Sequence, residues 1–430
     1  MQELPFSIQD FSKLRTLNCL YIDKTKYAHD LIVQEQSFFL ARPRRFGKSL
    51  FVSTLKEILL GKKELFEGLW ITQSTYTWPV YGAIHLDFSS LKNTNATSLE
   101  ISLCQQLIRI AKSYKLSIVL DPSNPNEALS ALIEELRNIY GKVAVLIDEY
   151  DHPILSTLHK PRLQEILETI QSFFATVKSL DGSIDFLFLT GVSSFAKAGV
   201  FSGLSHPKDL SRLPEYACIC GYTEEDITTY FTPYIEKLAK KKNTPVTELR
   251  AELKKNYNGY HFTENSPAVY NPFSLTQALD TGELENYWFD SGTPSFLIDL
   301  LKKEYAKNNL NIFQMEEFKI SKMEPKYFDA NAIPIPSIML QTGYLTIKDF
   351  VDEKYILGFP NLEVQAATQR HMMGILLNLN LNEISNFSTD LIRALTKEDT
   401  PKIESLFNTL CAHIPSTLHI SREELVIVVD

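Results

Sequence analysis

Residues 42–49, with the sequence RPRRFGKS, decide the fold of the first half of the chain. They follow an apolar run at residues 37–41, which predicts a buried strand, and they precede a helical pattern at residues 49–60. The last three residues match the second half of G-x-x-x-x-G-K-[ST], in which backbone amides and a lysine bind phosphate and a hydroxyl binds Mg²⁺. Arg42 occupies the position of the first glycine, so the order of strand, loop and helix supports the motif more than the pattern itself. The segment predicts a phosphate-binding loop, and the alternative is an exposed basic turn.

A second motif follows the apolar run KVAVLI at residues 142–147, where Asp148 and Glu149 stand at the carboxyl end of a predicted strand. An aspartate there can hold Mg²⁺ through its water shell, and the adjacent glutamate can polarise an attacking water. Acidic pairs after strands also cap helices, so this motif alone is weak. The two motifs, about 100 residues apart on strands of one sheet, together predict a nucleotide-binding site.

Roles can be assigned to individual side chains of the two motifs. Lys48, Asp148 and Glu149 are the predicted catalytic residues, and Ser49 and Asp148 are the predicted Mg²⁺ ligands. The residues predicted to contact ATP are Arg44, Arg45, Phe46, Gly47, Lys48, Ser49, Leu50 and Thr190. Thr190 ends the fourth apolar run, where its hydroxyl could sense the γ-phosphate or could be an ordinary turn residue.

Three arginines, Arg42, Arg44 and Arg45, cluster at the predicted phosphate site, which is unusual for a solvated turn. Guanidinium groups can pair bidentately with phosphate or with a carboxylate near Asp148. They can also reach the nucleotide of a neighbouring subunit, which would require a homo-oligomer. The sequence does not choose among these three roles.

Apolar runs alternate with amphipathic stretches through the first 222 residues. The strand candidates after the first are residues 83–88, 142–147, 186–190 and a shorter run at 217–220. The helix candidates are residues 49–60, 98–114, 126–140 and 161–180. Continuous apolar strands separated by helices predict an α/β fold with a mainly parallel sheet that helices cover on both faces.

The pattern changes after residue 222, and length alone favours two or three domains at about 150 residues each. We expect a P-loop core at residues 1–222, a helical region at 223–330, and a winged-helix-like hairpin with a helical tail at 331–430. The hairpin is predicted from β-rich segments at 346–350 and 354–359.

A winged hairpin raises the alternative of a DNA partner, with Lys348 and Lys354 as phosphate contacts. The preceding helix, at residues 337–341, is apolar and carries no arginine or lysine, which favours packing or a protein partner. The net charge also counts against DNA, because 43 Lys and Arg against 52 Asp and Glu leave −9.

Composition limits the class of protein. Hydrophobic residues make up 44% and charged residues 22% of the 430, so the chain can bury a core and is not disordered. The five scattered cysteines do not form a disulfide framework, and residues 218–220 lack a second Cys/His pair for zinc. The sequence shows neither a secretory signal nor an apolar span of about 18 residues. We therefore expect a cytoplasmic protein without membrane contact.

Taken together, these motifs resemble the AAA-ATPase-like family of bacterial proteins. The resemblance rests on residues 21–25, 41–49, 65–69, 146–151, 190–192, 201–204, 220–223, 257–260, 270–273, 291–294, 341–345 and 359–364. It implies a P-loop core of the additional-strand, catalytic-Glu type, which the helical region and the winged-helix-like module predicted above would follow. In such a core Lys48 and Ser49 would lie on the phosphates and Mg²⁺, and Asp148 and Glu149 would be the acids.

Members of this family are commonly joined to a C-terminal nuclease domain of the PD-(D/E)XK type. Such a domain needs an Asp and then a Glu-x-Lys on the next strand to bind a catalytic metal. The nearest Glu-x-Lys with a hydrophobic centre is at residues 317–319, in a polar, helix-like stretch, and the chain stops at the apolar run 425–430. We therefore expect the nuclease module and its activity to be absent.

The expected function is Mg²⁺-dependent ATP hydrolysis coupled to conformational switching of the helical and winged regions. The alternatives are a non-hydrolysing nucleotide-sensing or protein-interaction module, and a DNA-binding winged-helix regulator. His152, alone after the acid pair, is interpreted as structural, and covalent catalysis is not expected. The aromatic motif at residues 257–261 could contact adenine or a partner, but packing explains it better.

Overall fold

The computed structural model describes residues 1–158, 160–193, 207–288, 297, 300–301, 318–322, 334–377 and 379–413. Among the sequence features above, residues 201–204, 291–294 and 425–430 and Glu317 lie outside the described residues.

Five parallel strands form the central sheet, in the order β2-β3-β4-β1-β5. They are β1 (Ser37–Ala41), β2 (Gly82–Asp87), β3 (Val143–Asp148), β4 (Phe186–Gly191) and β5 (Lys208–Asp209). The first four confirm the predicted strands. Strand β4 lies between β1 and β3, and this is the additional strand that the family resemblance implies.

The prediction of a fifth strand at residues 217–220 is wrong. The edge strand is β5, which pairs with Phe38 and Phe39, and residues 217–220 follow the 3-10 helix Pro214–Tyr216 instead. The run at 217–220 is apolar because Ala217, Ile219 and Cys220 are buried by packing rather than by strand pairing. A two-residue edge strand that begins with lysine carries no apolar periodicity that could predict it.

Eight helices belong to the described part of the core and connect or precede its strands. They are α1 (Phe11–Thr16), α2 (Thr25–Ile32), α3 (Lys48–Leu59), α4 (Trp70–Gln73), α5 (Ala96–Ser113), α6 (Pro125–Tyr140), α7 (His152–Leu155) and α8 (Leu163–Ser179). Helices α3, α5, α6 and α8 confirm the four predicted helices.

The sheet is buried on both faces, as continuous apolar strands require. In β3, Ala144 and Leu146 join a hydrophobic cluster with residues of α1, α2 and α3. Val143, Val145 and Ile147 point to the opposite face and join a second cluster with α5, α6 and α8. The alternation along one strand thus fixes which helices cover which face.

The helical region packs around a third hydrophobic cluster. Its elements are α9 (Glu224–Asp226), a π-helical turn (Ile227–Phe231), α10 (Thr232–Lys242), α11 (Val246–Tyr257) and α12 (Pro272–Thr281). Leu20 and Ile22, from the segment before α2, belong to the same cluster, so the N-terminal segment is packed against the helical region.

Strands β6 (Phe318–Ser321), β7 (Thr346–Val351) and β8 (Lys354–Gly358) form an antiparallel sheet in the order β6-β8-β7. Strands β7 and β8 confirm the predicted hairpin. Phe318 and Lys319 lie on β6, so the interpretation of this stretch as helix-like is wrong. Its partner β8 lies about 35 residues ahead in sequence, and hydrogen bonding to that strand overrides the local pattern.

Helix α13 (Ile335–Thr342) precedes the hairpin and is buried along most of its length. Burial confirms its packing role, since a helix covered in this way cannot enter a DNA groove. Lys348 and Lys354 lie exposed on β7 and β8. Helices α14 (Leu362–Leu377), α15 (Leu381–Thr396) and α16 (Thr400–His413) follow.

Residues of the antiparallel sheet, including Ile320, Tyr355 and Leu357, belong to the same hydrophobic cluster as β1 and α3. The division at residues 222 and 330 remains a proposal, and this shared cluster means that the proposed parts are packed together. Within the described ranges, no helix combines the length and the apolar character that crossing a membrane requires.

Candidate nucleotide-binding site

Three loops leave the sheet at one edge, because parallel strands end on the same side. Ala41 on β1 is in register with Gly191 on β4, and Ile147 on β3 is in register with Leu189. The segment after β1, the acids that end β3 and Thr190 near the end of β4 therefore meet at the carboxyl edge. The structure brings the two sequence motifs together.

The backbone of the loop after β1 is suited to an anion. Arg45 and Gly47 have positive φ angles of 67° and 94°, and turns of this kind can direct successive N–H groups into one concavity. Among the described residues, no side chain caps the first turn of α3, so its N–H groups are available to a phosphate. The positive φ angle, and not crowding, favours glycine at position 47, because a Cβ there would meet no described atom within 4 Å.

Lys48 extends across this loop and is only 3% exposed. Its Nζ donates hydrogen bonds to the carbonyl oxygens of Arg42 at 3.1 Å and Pro43 at 3.2 Å. The same nitrogen lies 3.6 Å from Oε1 of Glu149. The first predicted phosphate ligand and the predicted catalytic glutamate therefore form an ion pair.

Asp148 lies at the centre of an oxygen cluster and is buried. It accepts a hydrogen bond from the hydroxyl of Thr190, and the nearby hydroxyl of Ser49 acts to lower its pKa. Burial, reinforced by the adjacent charge of Glu149, raises the pKa of Asp148. A hydroxyl beside a carboxylate is the donor chemistry that Mg²⁺ prefers, so these residues fit that ion.

Glu149 occupies a left-handed backbone position with φ 53°, directly after β3. Burial alone would favour its neutral form, but the charges of Lys48, Arg44 and His152 outweigh burial and lower the pKa of Glu149. The carboxylate is therefore ionised at neutral pH, as a residue that accepts a proton from water must be.

Asp151 is a buried acid that the sequence analysis did not identify as part of the site. Its Oδ2 accepts hydrogen bonds from the backbone N–H of Ser193 at 2.7 Å and from the Ser193 hydroxyl at 2.6 Å. A Cβ at Gly191 would lie 2.5 Å from the Tyr150 ring and 2.7 Å from Asp151, so this contact requires glycine. Asp151 thereby ties the end of β4 to the acidic turn; the signal was its place in the run 148–151.

Arg42 has none of the three roles that the sequence left open. Its guanidinium donates to the carbonyl oxygens of Ala41 at 2.8 Å, Ser211 at 3.0 Å and Tyr216 at 2.9 Å. It also lies 4.1 Å from the centre of the Phe262 ring. The arginine that replaces the first glycine is thus a buried anchor for the start of the loop.

Arg44 and Arg45 lie at the cleft and are partly exposed. The charge of Arg44 acts on Glu149, and the guanidinium of Arg45 lies 5.0 Å from the centre of the Phe273 ring on α12. Phe46 is buried and packs edge-on against Tyr260, with 4.7 Å between ring centres. Its side chain therefore anchors the loop to the aromatic motif, and the buried tyrosines confirm the packing role of that motif.

An open cleft of about 380 Å³ lies above the loop. The core contributes Gly47, Lys48, Ser49, Leu50, Asp148, Glu149, His152 and Tyr222, and the helical region contributes Pro272, Phe273, Thr276 and Gln277. His152 thus faces the cleft rather than only capping a turn. Thr190 is fully buried, and its hydroxyl bonds to Asp148.

A smaller, largely apolar pocket adjoins the cleft at Gly47 and Leu50. Its walls come from the N-terminal segment, the phosphate loop, α3, the end of the core and Pro272 of the helical region, with Leu20, Ile22, Phe46, Phe51, Ile219 and Tyr222 among them. The sequence does not predict this pocket, because its walls are distant in sequence and carry ordinary core residues.

Two comparisons with known sequences agree with this geometry. The model of a family described as predicted AAA-ATPase, AAA-ATPase-like, matches residues 5–201. A protein of Azotobacter chroococcum mcd 1, described as an uncharacterized protein in the vnfD 5′ region, is 33% identical over 422 residues. That alignment covers 96% of this chain and 78% of the relative.

Two solved structures from Aeropyrum pernix are more distant. The ORC2 protein in ADPNP-ADP complexes has a TM-score of 0.33 at 14% identity and covers 81% of this chain and 93% of its own. The ORC1 protein in complex with DNA has a TM-score of 0.30 at 8% identity and covers 80% and 90%. Strand order, the joined motifs and the relative that aligns over 96% of the chain lead to one conclusion: the chain belongs to the AAA-ATPase-like family of P-loop proteins.

Proposed function

We propose that the cleft binds ATP with Mg²⁺ and that the protein hydrolyses ATP. One observation carries the proposal: the loop amides, Lys48, the Ser49–Asp148 pair and the ionised Glu149 lie together at the carboxyl edge of one sheet. Each group matches one requirement of phosphoryl transfer to water, namely phosphate binding, charge neutralisation, metal binding and orientation of the nucleophile.

The adenine base is assigned to the apolar pocket beside Gly47 and Leu50. A base needs apolar walls, and Phe51 and Ile22 line this pocket, while Phe46 and Gly47 place the end of the phosphate loop beside it. The nucleotide would then contact both the core and the helical region, since Tyr222 and Pro272 line the pocket and the cleft. Closure around ATP would therefore reposition the helical region.

The residues of the chain perform distinct tasks in this proposal. Lys48 leaves its ion pair with Glu149 and neutralises phosphate charge, which frees Glu149 to orient a water and accept its proton. Ser49 and Asp148 would hold Mg²⁺, which supplies positive charge to the phosphate oxygens when bound. Thr190 and Asp151 keep Asp148 and the end of β4 in place.

Phosphate release from ATP tests the proposed function. We expect the wild-type protein to release phosphate in excess Mg²⁺ and to lose at least about 90% of that rate in excess EDTA, because the Ser49–Asp148 oxygens need the ion. Restoring Mg²⁺ should restore the rate. A rate that is insensitive to EDTA would contradict the assigned Mg²⁺ site, and saturable ATP binding without any release would identify a non-hydrolysing module.

A further inference from the structure

We propose that Trp288 is a positioning residue of the phosphate loop, held by the buried Glu363, and that this contact links nucleotide binding to α12 and α14. The contact itself exists without nucleotide, while its linkage to a ligand rests on the proposed ATP site. Neither residue touches the cleft, so both would act through the loop backbone.

The loop is contacted from behind by a fully buried tryptophan. The indole Nε1 of Trp288 donates a hydrogen bond of 3.0 Å to the carbonyl oxygen of Arg44. The Trp288 ring packs edge-on against Tyr344, with 5.1 Å between ring centres. A Cβ at Gly343 would lie 2.7 Å from Cβ of Pro43, so the end of α13 also approaches the loop closely. The loop therefore touches the C-terminal part of the chain at two successive residues.

Glu363 fixes the tryptophan and joins it to two helices. It is 1% exposed, and its Oε1 accepts hydrogen bonds from the backbone N–H of Trp288 at 2.7 Å and from the Ser274 hydroxyl at 2.9 Å. Glu363 lies in α14, and Ser274 lies in α12 beside Phe273, which faces the cleft and contacts Arg45. One carboxylate thus connects the support of the loop to the helix on the far side of the cleft.

A second set of contacts keeps α14 in register with the helical region. The Asn361 side-chain amide donates a hydrogen bond of 2.9 Å to the carbonyl oxygen of Asn258. A Cβ at Gly259 would lie 2.0 Å from the carbonyl oxygen of Pro360, so the two backbones touch and only glycine fits. The segment that delivers Glu363 has little freedom to shift independently.

Buried hydrogen bonds favour the one arrangement in which all of them are made, because an unpaired buried group is costly. A phosphate that changes the loop conformation must therefore alter the hydrogen bond between Trp288 and the Arg44 carbonyl, or bind more tightly because that bond already holds the loop. Thermodynamic linkage is reciprocal. If the hydrogen bonds of Trp288 and Glu363 favour the loop conformation that binds ATP, then bound ATP must stabilise α14.

Hydrogen exchange of the nucleotide-free protein tests the contact. In Trp288→Phe, which keeps an aromatic ring but removes the donor, we expect amides of residues 43–55 to exchange about fivefold faster than in the wild type. Helix α5 should be unchanged, and the matched control Trp78→Phe, whose ring packs on Phe66 and Tyr76, should exchange as the wild type does. Glu363→Gln, which keeps an acceptor oxygen, should give a smaller change than Glu363→Ala.

ATP titration of the same variants tests the linkage. We expect Trp288→Phe to raise the Kd and KM for ATP about fivefold with kcat within about twofold, and ATP to slow exchange of α14 in the wild type. If Trp288→Phe leaves amide exchange at residues 43–55 as in the wild type, or raises exchange in α5 by the same factor, Trp288 is not a positioning residue of the loop. If the variants show the expected differences in hydrogen exchange but the wild type binds no ATP, the proposed function and the linkage are refuted, while the contact between Trp288 and the loop stands. Binding of ATP that leaves α14 and the variants' Kd unchanged would overturn the linkage alone.

Discussion

Glu149→Gln is expected to lower phosphate release by about 10³-fold while ATP binds as tightly as to the wild type, or more tightly. The amide has nearly the same shape but cannot accept a proton from water. It also cannot form the ion pair with Lys48, whose Nζ lies 3.6 Å from the Glu149 carboxylate. Lys48 is then free for phosphate before the nucleotide arrives, which is why affinity should not fall.

The measurement is steady-state phosphate release together with equilibrium ATP binding. Glu134→Gln, an exposed change of the same kind on α6, is the matched control and should retain the wild-type rate. Release by Glu149→Gln at the wild-type rate would show that Glu149 is not the proton acceptor.

Arg42→Ala is expected to lower the free energy of unfolding by about 3 to 5 kcal/mol. The substitution removes charged donors from three buried carbonyl oxygens and the contact with Phe262. Burial lowers the pKa of Arg42 to about 10, so the group that is lost is charged at neutral pH. Alanine would leave the carbonyls unpaired and the space behind the loop unfilled.

Urea denaturation of the nucleotide-free protein measures this loss. Arg45→Ala is the control, because Arg45 is partly exposed and contributes a cation–π contact worth about 1 kcal/mol or less. Arg42→Lys keeps the charge without the planar fork and should fall between the two. Equal stability of Arg42→Ala and the wild type would contradict the role of Arg42 as a buried anchor of the loop.

Local sequence predicted the elements that bear chemistry. The apolar runs of β1, β3 and β4 are buried on both faces, and such runs identify strands without knowledge of their partners. Lys48, Ser49, Asp148 and Glu149 were predicted from two short motifs because each motif lies at or directly after the end of a strand, and strand ends of a parallel sheet meet.

Contacts between distant segments could not be predicted in this way. Arg42 reaches the carbonyl of Tyr216 across 174 positions, and Trp288 reaches that of Arg44 across 244. Nothing near Arg42 in the sequence distinguishes a buried anchor from a phosphate ligand, since both need a guanidinium. The edge strand β5 was missed for the same reason: its two residues are a strand only because β1 lies beside them.

Titration of ATP in excess Mg²⁺ into the wild type and Lys48→Ala tests whether this cleft binds ATP. We expect saturable binding of one ATP per chain by the wild type, and an affinity about 100-fold weaker in Lys48→Ala, because two charge-assisted phosphate contacts are lost. Lys56→Ala, in the same helix but away from the cleft, should bind as the wild type does. Undetectable wild-type binding, or equal affinity of Lys48→Ala and the wild type, would contradict the assignment of this cleft as the ATP site.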